Sequence, residues 1–326
     1  MNEKILTLKE NNLKQKENSD ERKQMLLTSV PVIVLVLMVI FFEIVSEGRL
    51  LSLRNIDALF NSMFSIALGA SGVAFLMAQG SLDFSMGGIV GLTAALSGFA
   101  AGVSPVLSVV VGIITGGLCG LLNGIIHAKF KVSAIITTLS TAFIFRGIQG
   151  TLITQGAVSL PGSMMFLEDT TIKVTLMMAV FIVCGIFYTK TKTGKFCKAI
   201  GAGEEASHQS GIKVTKYKIG CFVLSGAMAG LVGFFYLVRA ASASANTGSG
   251  FEFDVLLAML LGGMPISGGS GARFRSVIIG SLIMTVLSNG MILWGLDSVL
   301  QQFIRGIIFL VSVSISFDRR NITTIV

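Results

Sequence analysis

Charged residues are scarce in this chain of 326 residues: Asp, Glu, Lys and Arg together make up 13%, about half the roughly 25% of an average soluble domain. Apolar residues reach 52% and the mean hydropathy is +0.81, so lipid rather than water solvates most of the chain. Histidine is almost missing. His127 and His208 are the only two, which leaves metal chemistry and His-based nucleophilic catalysis little to work with, and both read as interfacial loop residues. The four cysteines, Cys119, Cys184, Cys197 and Cys221, fall singly with no C-x-x-C spacing, which indicates neither a zinc site nor a disulfide framework. No G-x-x-x-x-G-K-[ST] run is present to cradle nucleotide phosphates, and no H-E-x-x-H, paired-Asp motif or nucleophile elbow points to an enzyme. The 38 glycines sit inside apolar runs without a three-residue period, which excludes a collagen-like chain.

Apolar runs are what the chain has in abundance. A stretch of about 20 apolar residues crosses a bilayer as a helix, because every backbone N–H and C=O must be paired within lipid. Ten runs qualify, at roughly 26–45, 57–79, 85–101, 105–126, 135–153, 172–189, 219–239, 253–265, 276–294 and 298–317. The third and eighth are short, so eight to ten spans are expected: an all-α polytopic membrane protein with broken helices. Residues 1–24 form a hydrophilic tail of mixed charge, too long and too acidic for a signal-peptide n-region, and are expected to remain attached in the cytosol. Residues 25–326 form the transmembrane domain.

The distribution of positive charge orients these spans. With the N-terminus inside, the tail's basic residues, Lys129, Lys131, the seven lysines of 190–218, Arg273, Arg275, Arg319 and Arg320 all fall on the cytosolic side, as the positive-inside rule requires. Arg49, Arg54, Lys173 and Arg239 fall outside, while Arg146 and Arg305 lie within spans. The net charge of +8 thus reflects topology and anionic headgroups, not nucleic acid. Both termini are expected inside.

The longest polar interruption is 190–218. Gly203 and Gly211 frame the run EEASHQSG, which begins with Glu204 and Glu205, carboxylates suited to the positive end of a helix dipole. It reads as a short surface helix at the cytosolic face; a merely solvated basic loop is the plainer alternative.

The order of four segments is specific: QGSLDFSMGGIVGLTAAL, then AIGAGEEASHQSGIKVTKYKIGCFVLSGAMAGLVGFFY, then GSGFEFDVLLAMLLGGMPISGGSG, then LSNGMILWGLDS. From about residue 55 to 318 this resembles the permease subunits of bacterial ABC importers for monosaccharides, the ribose, xylose, arabinose, galactose and autoinducer-2 type of the branched-chain amino acid/ribose permease superfamily. The resemblance implies a division of labour. Two permease chains, alike or different, would form the path in the cytoplasmic (inner) membrane, cytosolic ATPase subunits would use ATP and Mg, and an extracytoplasmic binding protein would deliver the sugar. The chain itself would be no enzyme and would bind no cofactor or metal. The family's ATPase-docking loop maps onto Gly201, Glu204, Glu205, Ala206, Ser210 and Gly211; the family commonly has Asn where this chain has Gly203.

Ionisable and polar residues inside apolar runs are the remaining signal, since burying them costs free energy. Asp83 lies in an interruption bracketed by Gly80 and by Gly87 and Gly88. It is expected either to cap the next helix through the amides of Ser85 and Met86 or to contact substrate in a broken-helix path. Asn61, Gln79, Ser85, Gly87, Gly263, Ser267 and Asn289 are the other candidates for the path, although each alone serves equally well in packing. A second glycine-rich interruption, Leu261 to Gly271, suggests an inverted repeat with the first. Arg146 and Arg305 need partners such as Asp83, Glu252 or backbone carbonyls, or else snorkel to headgroups. Pairs of small residues, Gly112 with Gly116 and Gly226 with Gly230, are expected to bring helices together. An ion- or proton-coupled transporter is the alternative, but would be expected to embed more carboxylates than Asp83.

Overall fold

Ten apolar helices and two short polar ones account for most of residues 29–154 and 158–316, the residues that the computed structural model describes. The tail assigned to 1–24, Arg319 and Arg320 lie outside the described residues. In chain order the helices are α1 (Ser29–Val45), α2 (Leu53–Ala78), α3 (Met86–Ala101), α4 (Pro105–Phe130), α5 (Ala134–Thr154), α6 (Thr170–Lys190), α7 (Lys192–Ala202), α8 (Glu204–Gln209), α9 (Val214–Ala240), α10 (Phe251–Leu261), α11 (Arg275–Leu293) and α12 (Ser298–Ser316). A 3-10 turn, Gly162–Glu168, precedes α6. Strands β1 (Val158–Ser159) and β2 (Ser242–Ala243) pair antiparallel, Val158 with Ala243 and Ser159 with Ser242. Each of the ten expected runs coincides with a helix over most of its described length, the eighth only as far as Leu261. Five of them, α2, α4, α6, α9 and α11, are long and apolar enough to cross a membrane by length and composition.

Contacts give each helix its direction. The start of α2 lies beside the start of α6, where Lys173 Nζ donates to Asn61 Oδ1 at 2.7 Å. The other end of α2 reaches Gln79, whose amide meets Cys197 of α7 and Cys221 near the start of α9. One face of the molecule therefore carries the β1–β2 pair and the 3-10 turn, and is called here the hairpin end. The opposite face carries α7 and α8 and is called the α8 end. The first described residues, Pro31 beside Gly263, and the last turn of α12 both belong to the α8 end. Lys129, Lys131, the lysines of 190–218, Arg273 and Arg275 gather there as well, whereas Arg49, Arg54, Lys173 and Arg239 stand at the hairpin end.

Helix α9 is the axis, packed against α2, α3 and α4. Glycine makes its contact with α4 possible. A Cβ on Gly116 would overlap the carbonyl oxygen of Gly226, one on Gly226 would overlap that of Gly116, and one on Gly230 would overlap that of Gly112. The two backbones touch along this ladder, which is how small residues bind helices where lipid removes the hydrophobic drive. Helix α2 is buried on all sides from Met63 to Ala78.

Two helices begin inside the molecule. The segment 79–85 leaves the end of α2 and turns inward: Asp83 Oδ2 accepts from Ser225 Oγ at 3.2 Å, eleven residues and so about 16 Å along α9. From there α3 runs outward to the hairpin end, where a Cβ on Gly98 would overlap Val158. Likewise 241–250 leaves the end of α9 and turns inward from the hairpin end, and the carbonyl oxygen of Gly248 lies against Gly87 at the start of α3. The half-helix α10 then runs the other way, to the α8 end. At 11 residues it is about 16 Å long, well short of the roughly 30 Å of hydrocarbon. The units α2–break–α3 and α9–break–α10 are thus alike in form and opposite in direction.

This corrects the pairing of interruptions. Residues 262–274 are indeed non-helical, but they lie at the α8 end, with the Gly269 amide donating to the Ala78 carbonyl at 3.0 Å. Their glycines serve tight turns, at positive φ in Gly263, Gly268 and Gly269, and it is 241–250 that mirrors 79–85. Apolar residues 262–265, placed within a span, are part of that turn.

Candidate functional site

At the α8 end the polar segment folds as two short helices. Burial of one face seats α7: a Cβ on Gly194 would overlap the Tyr188 carbonyl, and one on Gly201 would overlap the Ala78 carbonyl at the end of α2 and crowd the Gly269 amide. Lys198 sets its ammonium 4.7 Å from the centre of the Tyr188 ring. Burial, and then the nearby charge of Arg273, push this lysine below its ordinary pKa.

Gly203, extended at φ 177°, turns the chain into α8. Glu204 and Glu205 occupy its first turn, where the helix dipole favours them. Glu204 Oε2 accepts from Lys218 Nζ of α9 at 2.6 Å, and Ser207 alone of the six residues is buried. Ser210 donates its hydroxyl to the Ala206 carbonyl at 2.8 Å. Gly211, at φ +80°, ends the helix by donating to the His208 carbonyl at 2.9 Å. Beside it an open cleft of about 640 Å³ is lined by His208, Gly211, Ile212, Lys213 and Lys216 among others. Gly201, Glu204, Glu205, Ala206, Ser210 and Gly211 are therefore brought together on one small projection.

The interior site forms where the two breaks meet. Asp83 is wholly buried. Its Oδ1 accepts from the Ser85 amide at 2.9 Å and the Ser85 hydroxyl at 2.6 Å, and Asn123 of α4 donates to that hydroxyl at 2.7 Å. The Phe84 amide donates to Thr138 Oγ1 of α5 at 3.1 Å. Asp83 thus organises the start of α3 through Ser85 and Ser225. Of the two amides expected to be capped, the one that donates to Asp83 is that of Ser85.

Other path candidates are occupied elsewhere. Asn61 receives Lys173, and Asn289 exchanges two amide hydrogen bonds with Asn55, at 2.7 and 3.0 Å. Gln79 donates to Cys197 Sγ and Cys221 Sγ at 3.2 and 2.7 Å. Those two sulfurs, 24 residues apart in sequence, lie 3.4 Å from each other as free thiols, a proximity that single spacings conceal. Gly263 and Ser267 are exposed at the α8 end. A Cβ on Gly87 would overlap the Glu252 carboxylate, so this glycine makes room for an ion pair. Arg146 Nη2 bonds to Glu252 at 3.1 Å, and Arg305 Nη1 to Asp254 at 2.9 Å. Glu252 is among the partners foreseen for these arginines; Asp254, with Phe253 between them, was missed, and their run of Glu-Phe-Asp inside an apolar stretch was the available signal.

Among the described residues, ten apolar helices alternating in direction, two of them, α3 and α10, beginning in the interior after a break, define a polytopic α-helical membrane protein of the transporter class. Residues 55–313 match the family described as branched-chain amino acid transport system / permease component, and the chain belongs to that family. It is 34% identical to the ribose import permease protein of Bacillus subtilis (strain 168) over 87% of this chain and 90% of the relative. To the ribose import permease protein of Escherichia coli (strain K12) it is 29% identical, over 78% of this chain and 84% of that one. To the L-arabinose transport system permease protein of the same organism it is 33% identical, over 77% and 78%. No solved structure matches the chain.

Proposed function

We propose that this chain is the membrane-spanning permease subunit of an ATP-driven importer of a monosaccharide or similar small polyol in the bacterial inner membrane. The substrate class rests on the relatives, whose names specify ribose and L-arabinose import. Two permease chains, alike or different, enclose the passage. An extracytoplasmic binding protein delivers sugar at the hairpin end, and a cytosolic ATPase, the user of ATP and Mg, docks at the α8 end. The tail, both termini and the positive charge of the α8 end then lie in the cytosol, in keeping with the positive-inside rule.

The observation that carries this reading is the mounting of α8. A helix of six residues with five exposed has no core of its own, so its role is to be gripped. It is joined through Gly203 to α7, whose Gly201 bears on both the end of α2 and the 262–274 turn. Closure of the ATPase pushes α8, and α7 passes that displacement to the segments that adjoin both half-helices. Close-packed backbones move as units, which is how a local push becomes rocking of helices.

Reversing the charge of the projection tests this. Glu204→Lys with Glu205→Lys breaks the Lys218 contact and opposes the helix dipole while leaving the spans intact. The variant is expected to reach the membrane in normal amount and to lose ATP-driven uptake in vesicles by about 10-fold or more, the effect of at least ~1.4 kcal/mol at the docking surface. Undiminished uptake would remove α8 as the coupling element.

A further inference from the structure

Three consecutive residues of α10 reach three different neighbours. Glu252 accepts two hydrogen bonds from Arg146 Nη2 of α5, at 3.1 and 3.4 Å. Asp254 accepts two from Arg305 Nη1 of α12, at 2.9 and 3.3 Å, and Arg305 Nη2 also donates to Ser288 Oγ at 3.2 Å. Phe253 stands between these pairs with 47% of its surface exposed. Its ring meets Phe84 of the first break edge-on at 6.0 Å and Phe309 of α12 edge-on at 6.1 Å. Phe309 follows Arg305 by four residues and so shares its helix face.

This surface is unsuited to lipid. Arg146 lies eight residues before the end of α5 and Arg305 seven after the start of α12, which puts both about 10–12 Å below the hairpin end. Charged groups at that depth face a bundle interior or a water-filled cavity. Yet the Arg146 side chain is 29% exposed, and those of Arg305 and Asp254 are 23% and 22%. The wall of α5 beside them is kept bare by Gly147 and Gly150, where an added Cβ would meet nothing within 4 Å.

We infer that Phe253 and the two ion pairs flanking it form a contact site in the passage for a neutral, polyhydroxylated ring. The inference rests on the permease reading above. Each pair is electrically balanced, so the site exerts no net pull on an ion. Each also sets guanidinium donors beside carboxylate acceptors, the combination that vicinal hydroxyls, both donors and acceptors, can engage. The aromatic face is electron-rich and complements the C–H face of a sugar ring. Edge contacts to Phe84 and Phe309 hold the Phe253 ring while leaving a shallow surface, and shallow contact suits a solute that must leave again.

The complete transporter, reconstituted with its ATPase and binding protein in proteoliposomes, is assayed with radiolabelled D-ribose, L-arabinose and D-glucose. Absence of ATP-driven uptake of all three by the unaltered chain would remove the monosaccharide-permease reading, and this site with it. Once uptake is established, Phe253→Tyr, which keeps the ring, is expected to stay within about threefold of the unaltered chain. Phe253→Leu, which loses the ring but remains apolar, is expected to lose about tenfold in uptake, the scale of one aromatic contact. Equal uptake by Phe253→Leu, with the ATPase copurifying normally, overturns the site alone. A Phe253→Cys chain provides a reading independent of folding and rate. A charged, water-soluble methanethiosulfonate should modify it from the hairpin end, more slowly when transported sugar is present; modification only by a lipid-soluble maleimide would place Phe253 against lipid and overturn the site.

Discussion

Asp83 receives three hydrogens, from the Ser85 amide, the Ser85 hydroxyl and the Ser225 hydroxyl, and it is fully buried. Asp83→Ala would strand these donors, each at about 1–3 kcal/mol, at the point where the first break meets α9. The expected result is a lower melting temperature and reduced membrane yield, with Asp83→Asn milder because it retains an acceptor oxygen. A normally stable Asp83→Ala protein that fails only in transport would instead place this carboxylate in the passage. The residue type and its glycine-rich setting are visible in the sequence, and they show that Asp83 is tied to a break. That the partners are Ser225 and, through Ser85, Asn123 is not visible, because those residues lie on helices far along the chain. The same holds for Arg305: Asp254 lies 51 residues away, and no local rule connects them.

Between helices α4 and α9 the glycine ladder determines how closely the axis of the molecule is packed. Gly116→Val is expected to force the two backbones apart, since its Cβ would overlap the Gly226 carbonyl; overpacking of this kind costs about 1–3 kcal/mol or more. Gly117→Val supplies the control, because a Cβ there would lie 3.9 Å from its nearest neighbours, Ala227 and Val223. Thermal melting of the detergent-solubilised proteins should fall for the first and stay near normal for the second; equal melting would show that the ladder is not a close contact. The small-residue spacing on each helix is legible from sequence, but which two helices meet through it depends on the packing of the whole bundle.

Across the whole molecule, the alternation of helix directions places the α8 end and the hairpin end on opposite sides of the bilayer. All four natural cysteines are buried thiols, so introduced cysteines can report the sides with little background. In the 3-10 turn at the hairpin end Met165 is 44% exposed, and Glu205 is exposed on α8. With an impermeant thiol reagent, Met165→Cys is expected to be labelled in right-side-out vesicles and Glu205→Cys only in inside-out vesicles. Labelling of both from one side would refute the placement of the two ends on opposite sides.

Composition, apolar run length and the distribution of lysine and arginine are local properties, and they alone determined that this chain is an all-α membrane protein with a projecting polar segment at 190–218. Segment order carried its family resemblance in the same way. The meeting of the two half-helices in the interior, the choice of 241–250 as the partner of 79–85, and the pairing of Arg146 with Glu252 and Arg305 with Asp254 were decided by tertiary structure. A buried charge must find its counterion wherever folding brings one, and a helix break acquires its depth from the neighbours packed around it, so neither is encoded at any fixed spacing along the chain.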